Sequence, residues 1–234
     1  ACDWILGDEI LNKVGGIWVN DEMDKGNSWV WDSWISWLSA ADIKTDGDTG
    51  KGLWSNAWYA IRKANLGLEN MENLTDATPE QRDIIKGQLL FFRAFYHFEL
   101  MTYWGGMPYI DKAFSSADKL VYPRLNCHET ADRIAQDLRE AADLLPADWD
   151  KTATGKLTLG KNQLRVSKIT ALGYLGKNYL YAGSPLLNYE STGNKNFDTE
   201  YCRKAAEVFA ELLKYVDKQE TQVKLIDWEN YSFL

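Results

Sequence analysis

Between Leu89 and Trp104 the chain reads LLFFRAFYHFELMTYW, and on a 3.6-residue period this stretch has almost no polar face. Only Arg93, His97, Glu99 and Thr102 interrupt it, and they do not form one stripe. A helix that is apolar nearly all round is buried on every side, so this one is expected at the centre of a stack of helices. Thr78-Pro79-Glu80-Gln81 marks its start, with Thr78 as N-cap, Pro79 at the first helical position and Gln81 closing a capping box. Gly105-Gly106 supplies a positive-φ stop, and Pro108 prevents the helix from resuming.

Four further segments keep helical spacing. Trp54, Trp58, Ile61 and Leu68 line one helix ahead of the long one. After a loop of about twenty residues, Asn126-Cys127-His128-Glu129 is a second capping-box pattern. It precedes an apolar face of Ala131, Ile134, Ala135, Leu138, Ala142 and Leu145 that Pro146 terminates. Glu129/Arg133 and Arg133/Asp137 read as i,i+4 pairs on the wet side, worth about 0.3 kcal/mol each. A helix from about Gln163 to Ala182 ends in Gly183-Ser184-Pro185, and another from about Asp198 to Val216 carries Ala205, Val208, Phe209, Leu212 and Leu213.

Shifting the long helix by 77 residues places Ala94 on Ala171, Gly106 on Gly183 and Pro108 on Pro185. Each unit is therefore a long helix, a stop containing Gly and Pro, a loop and a shorter amphipathic partner. Small residues facing large ones at helix crossings follow the tetratricopeptide pattern. The fold class expected is all-α, built of tetratricopeptide-like helix pairs with long irregular loops and few short strands. Gly15–Val19 and Lys156–Leu159 are the segments able to contribute strands. Three regions are expected: an irregular Trp-rich stretch over 1–53, the helical domain over 54–217, and the start of a further part over 218–234.

Composition alters this picture in one respect. Apolar content of 45% and charged content of 26% are ordinary for a globular chain, but 11 Trp and 12 Tyr in 234 residues exceed what packing requires. A net charge of −8 disfavours nucleic acid and anionic surfaces as main ligands and suits neutral ones such as glycans. Cys2, Cys127 and Cys202 are odd in number and lack metal-ligand spacing, so they imply no disulfide framework. No stretch approaches the ~18 continuous apolar residues of a membrane span.

The sharpest binding candidate is Asn27-Ser28-Trp29-Val30-Trp31-Asp32-Ser33-Trp34-Ile35-Ser36-Trp37. Indole faces stack on the C–H side of a sugar ring while neighbouring Asn27 and Asp32 hydrogen-bond its hydroxyls. As a strand, Trp29, Trp31 and Trp37 share one face and Trp34 takes the other; as a helix, Trp31, Trp34 and Trp37 stay together and would cap the core beneath them. Asp42, Asp46 and Asp48 resemble part of a calcium loop, but Lys44 and Leu53 stand where oxygen ligands are needed, so a solvated turn accounts for them. Asp21, Glu22 and Asp24 could form a glycosidase pair, yet no second acid sits in an apolar setting that would raise its pKa. His97 reads as a satisfied core residue and His128 as part of a cap, and no cofactor is implied.

Residues Gly87-Gln88-Leu89-Leu90-Phe91-Phe92-Arg93-Ala94 and the following Phe95 to Pro108 resemble the signature of the SusD/RagB family. Four more segments match it in order: Trp58 to Asn65, Ala135 to Pro146, Gly155 to Thr158, and Ala171 to Tyr181 with Gly183. The resemblance covers about residues 54–216. It implies a non-catalytic lipoprotein that captures extracellular oligosaccharide or polysaccharide, with peptide handled by some relatives. It also implies a SusC-like TonB-dependent transporter as partner and a surface-exposed place at the outer membrane held by a lipid anchor not visible here; the net charge of −8 adds that no nucleic acid is expected as partner. Family members are about twice this length, so the chain is expected to be partial, lacking the lipobox region and a second half. Whether Cys2 has any link to lipidation stays open. In starch-binding members some aromatic contacts come from the N-terminal region, which favours Trp29, Trp31, Trp34 and Trp37 as ligand contacts. The rival readings are a helical-repeat scaffold for peptide or protein and an all-helical glycoside hydrolase.

Overall fold

The computed structural model describes residues 53–119 and 121–225, together with a short antiparallel hairpin in which β1 (Lys13–Val14) pairs with β2 (Ile17–Trp18). The chain divides into two compact units, one of Ala1–Asn56 with Ile226–Leu234, the other of Ala57–Leu225. The described helices are α1 (Leu53–Glu69), α2 (Pro79–Trp104), α3 (Cys127–Leu144), α4 (Ala153–Lys156), α5 (Lys168–Ala182), α6 (Pro185–Thr192) and α7 (Thr199–Asp217). Short 3-10 turns at Met71–Asn73 and Trp149–Lys151 punctuate the connections. The chain is helical, with the architecture expected from periodicity.

Within the second unit α2 packs on α3, α3 on α5, and α5 on α7, so α3 and α5 are each sandwiched between two helices of a stacked series. Alanines at the crossings allow close approach: Ala94, Ala131, Ala141, Ala142 and Ala171 are fully buried. Large side chains fill the spaces between them, notably Phe98, Leu100, Met101, Ile134, Leu138, Leu172 and Leu175. The middle of α2 is central as its apolar circumference predicts, with Leu90, Phe91, Arg93, Ala94 and His97 to Met101 all buried. On this stretch Phe92 is exposed at the surface, and Phe95 and Tyr96 are half-buried.

Both capping boxes form. Thr78 accepts from the Gln81 amide at 3.2 Å while the Gln81 side chain accepts from the Thr78 amide at 2.9 Å. At α3, Asn126 and Glu129 do the same at 2.8 and 2.9 Å. The other two exposed donors of that helix start are satisfied from α6: the Cys127 amide donates to Glu190 at 2.8 Å and the His128 amide to the Ser191 hydroxyl at 2.9 Å. An eight-residue helix thereby docks on the N-terminus of a longer one.

Several expectations need correction. Lys156–Leu159 is the end of a one-turn helix and the turn after it, not a strand, because Thr152 caps the segment by accepting from the Gly155 amide. The fifth helix begins at Lys168, not Gln163, since Ser167 caps it. The second repeat unit departs from the first after its stop: Ser184 accepts from the Leu187 amide and Pro185 occupies the first turn, so α6 replaces a loop. Leu213 is exposed and does not join the α7 face. Asp137 points inward, not to the wet side.

The two glycines after α2 have different tasks. Gly105 adopts φ +74°, where a side chain is strained. Gly106 has an ordinary φ, but a Cβ there would lie 2.3 Å from the Leu125 carbonyl oxygen and 2.7 Å from the Cys127 nitrogen. Gly106→Ala is therefore expected to destabilise the fold by about 2–4 kcal/mol, and Gly105→Ala by about 1–2 kcal/mol, as read by urea unfolding. Gly160→Ala, with φ +77° and nothing within 4 Å, should resemble the smaller effect. Equal losses at positions 105 and 106 would contradict the close-approach argument.

Candidate functional site

Beneath the loop that follows α2 lies a buried polar cluster. The Arg93 guanidinium donates to both Asp137 carboxylate oxygens, Nε to Oδ2 at 2.6 Å and Nη2 to Oδ1 at 2.8 Å. Its remaining Nη1 donates to Asn65 Oδ1 at 3.1 Å and to the Asp111 carbonyl at 3.2 Å. The Tyr109 hydroxyl donates to Asp137 Oδ2 at 2.6 Å. Asn65 in turn donates to the carbonyls of Ile110 and Lys112, both at 3.0 Å. Helices α1, α2 and α3 thus each place at least one side chain on the segment 109–112.

His97, with no exposed surface, completes the cluster. The Ile110 amide donates to His97 Nε2 at 3.0 Å, so the ring proton must sit on Nδ1, which donates to the Arg93 carbonyl at 2.8 Å. The imidazole stacks on Tyr109 at 4.0 Å between centroids and meets the Trp58 ring edge-on at 5.8 Å. Burial pulls its pKa down to about 3, with Arg93 and Arg133 adding charge repulsion. Burial also drives the Tyr109 hydroxyl well above its ordinary range, helped by the Asp137 charge. Burial pulls Arg93 downward, but the bond and charge of Asp137 outweigh it and the net shift is upward. His97 is neutral and Tyr109 protonated across the physiological range: this is a clamp, not an acid–base pair.

The clamp carries the loop on outward. Thr130 accepts from the Met107 amide at 3.0 Å, and Arg124 donates to the carbonyls of Gly106 and Trp104 at 2.7 and 2.9 Å. Arg133 pairs with Asp111 at 2.6 Å and lies over the Tyr109 ring. At the far end Arg62 holds the Phe114 carbonyl and Glu69 the Ala113 amide. There Phe114 and Tyr122 form an edge-to-face pair at 5.2 Å.

Elsewhere a groove of about 590 Å³ runs between α3, α5 and α7, lined by Asp132, Gln136, Arg139, Asp143, Tyr179 and Lys204. Its charges are largely engaged. Arg139 is bidentate to Glu211 at 2.8 and 3.2 Å, and Asp132 accepts from the Tyr201 hydroxyl at 3.0 Å. Among the described residues, the carboxylates displaced from their ordinary pKa all move down. Hydrogen bonds from Thr154, Ser115, Asn162 and Arg203 do this at Glu80, Asp118, Asp150 and Glu200. At Glu190 burial acts the other way and the bonds from Cys127 outweigh it. None of these five is held as the protonated acid that glycoside hydrolysis needs. Burial, then Glu190, pushes the Cys127 thiol up to about 12, so it is no nucleophile.

Asn27, Trp29, Trp31, Asp32, Trp34 and Trp37 lie outside the described residues, as do Asp21, Glu22, Asp24 and the Asp42–Asp48 turn. His97 is the satisfied core residue expected, and His128 sits in the first turn of α3 with Nε2 3.0 Å from the Ala182 carbonyl. The Arg93–Asp137 pair, 44 residues apart, escaped the sequence reading; two charged residues on the buried stripes of two helices were its only signal.

Comparison with known proteins places this stacked-helix chain in a protein class. Residues 16–180 match the family model SusD-like_3, described as starch-binding and associating with the outer membrane, and the chain belongs to that family. Two curated relatives from Formosa agariphila are similar in sequence. SusD-like protein P38 is 25% identical over 55% of this chain and 22% of its own length; SusD-like protein P2 is 29% identical over 56% and 24%. The chain thus matches about a quarter of either relative. A SusD-like carbohydrate binding protein from Bacteroides vulgatus superposes with a TM-score of 0.60 at 18% identity, covering 95% of this chain and 38% of that one. At that identity the likeness shows the fold.

Asp137→Ala would leave Arg93 buried without its counter-charge and is expected to cost about 3–5 kcal/mol in urea unfolding. A loss below about 1 kcal/mol would mean the pair is not buried in solution. His97 gives a pH signature. Its folded pKa lies below its ordinary value of 6.5, so its stabilisation is complete above that value. It is lost as pH falls from there towards 3, at about 1.4 kcal/mol per unit. Between pH 6 and pH 4, His97→Gln should show a shallower loss of stability than the parent, by nearly one proton. Parallel pH profiles would contradict a neutral buried His97.

Proposed function

We propose that the chain belongs to a non-catalytic receptor that captures an oligosaccharide or polysaccharide outside the cell and hands it to a SusC-like TonB-dependent outer-membrane transporter. The observation that carries this is the family match, which begins at residue 16 and so takes in the Trp-rich segment as well as the helical scaffold. The scaffold supports a receptor rather than an enzyme: the buried, perturbed Arg93, His97 and Tyr109 are engaged in holding a loop. The name of the Bacteroides vulgatus neighbour as a carbohydrate binding protein favours glycan over peptide. In this reading Trp29, Trp31, Trp34 and Trp37 stack on sugar rings while Asn27 and Asp32 bind hydroxyls. A lipid anchor at the cell surface holds the protein beside its transporter. Affinity per sugar is modest, because a shallow wet site exchanges water contacts for similar ones.

Intrinsic tryptophan fluorescence tests the reading with soluble polysaccharides and peptides as titrants. A saturable change with one glycan class is expected, weakened about tenfold by Trp31→Ala, the scale of one lost aromatic contact. Saturation by peptides alone would replace the glycan reading with a peptide receptor. Release of new reducing ends during the titration would make the protein a hydrolase.

A further inference from the structure

Helix α7 ends at Asp217, yet the compact helical unit runs on to Leu225. What holds the intervening residues begins with the way the helix stops. The Gln219 amide donates to the Val216 carbonyl and the Glu220 amide to the Tyr215 carbonyl, both at 3.0 Å, which is the bond pair of a Schellman motif. The residue that turns left-handed in this motif is usually glycine; here it is Gln219, at φ +56°. Among the described residues no other non-glycine has a positive φ. A side chain in that region persists only where surrounding bonds over-determine the backbone.

Those bonds converge on one place. Lys151 Nζ donates to the Gln219 carbonyl at 3.3 Å, and Gln222 Nε2 donates to Asp148 Oδ1 at 3.1 Å and to Asp150 Oδ2 at 2.9 Å. All three residues they reach lie at the 3-10 turn Trp149–Lys151, in the connection between α3 and α5. That turn is itself fixed in the scaffold. Trp149 is buried and its indole N–H donates to the Val166 carbonyl at 2.9 Å, while Asn162 donates to Asp150 at 2.5 Å. Asp148 caps the turn by accepting from the Asp150 amide at 3.0 Å, so Gln222 touches both the cap and the residue it caps. The bonds from Asn162 and then Gln222 hold the Asp150 carboxyl below its ordinary range. A cavity of about 50 Å³ remains between tail and turn, lined by Asp148, Trp149, Asn162, Thr221 and Gln222 among others. Polar bonds across a small cavity join the two, and a joint without apolar packing can open while the helices stay folded.

We infer that residues 219–223 form a strap, closed by Gln222 across Asp148 and Asp150, which ties the end of α7 to the α3–α5 connection and opens separately from the helices. Closed, the strap makes the end of the helical unit rigid, and the chain leaves it from a fixed point beside the second 3-10 turn. Open, residues 219–225 become a flexible tether, and the turn loses the partner that steadies its cap. The device uses only bonds within the helical unit, so it holds whatever ligand the protein captures.

Amide hydrogen exchange of the full chain tests this at two places 72 residues apart in sequence. In the parent, the Glu220 amide of the strap and the Asp150 and Lys151 amides of the turn should exchange through an opening easier than that of amides in the middle of α7. Gln222→Ala is expected to speed exchange at all three by about tenfold, the scale of lost hydrogen bonds to charged acceptors. Gln222→Glu, which sets a third carboxylate against the other two, should speed it further, and added salt should reduce that excess. Acceleration at Glu220 with Asp150 and Lys151 unchanged would show a tail that merely rests on the turn. Unchanged rates at all three, parent rates no faster than in the middle of α7, or a glutamate variant that opens no further than alanine would each overturn the strap as well.

Discussion

Burying Arg93 opposite Asp137 commits three helices and a loop to one arrangement. Desolvating two charges is costly, and only good geometry with every remaining donor and acceptor satisfied offsets it. Here the geometry is bidentate, and Asn65, Tyr109 and the Asp111 carbonyl complete the shell. Because α1 supplies Asn65, α2 supplies Arg93 and α3 supplies Asp137, any relative shift of the three breaks several charge-assisted bonds at once. The segment 107–112 has no secondary structure of its own. It is ordered because its amides and carbonyls close the same network through His97, Asn65 and Thr130.

The second repeat unit solves the same problem differently. With the shift of 77 residues, Thr170 and Tyr174 stand in place of Arg93 and His97, so no charged clamp can form there. Instead Asn178, fully buried on α5, donates to the Ala131 carbonyl of α3 at 2.9 Å, and α6 caps the start of α3 through Glu190 and Ser191. A loop held by side chains in one unit becomes a helix held by its ends in the other. The family resemblance and the stacked fold follow from the shared helix pairs, while the differences lie in the connections, where binding surfaces of helical-repeat proteins usually lie.

Much of this was legible in the chain. Ala131, Ile134, Ala135, Leu138 and Ala142 announce the buried face of α3, and the Thr78 and Asn126 boxes locate two helix starts within a residue, because both signals are local. What escaped was non-local. Asp137 has the spacing of a wet-side partner for Arg133, and only the approach of α2 turns it into the counter-ion of Arg93. Helix α6 was hidden because Gly183-Ser184-Pro185 reads equally as a stop and as a cap followed by a first-turn proline. For the proposed ligand site the legible part is residue chemistry alone: four indoles among Asn27 and Asp32 indicate what they suit, and their arrangement is a matter of tertiary structure.

Amide hydrogen exchange at Ile110 tests the clamp most directly, since that N–H is bonded to the side chain of a buried histidine in a segment without regular structure. The account predicts that Ile110 exchanges only with global unfolding, at the same free energy as amides in the middle of α2. Exchange at the rate of an open loop, while α2 and α3 stay protected, would show that the helices stack without the clamp and would contradict the account.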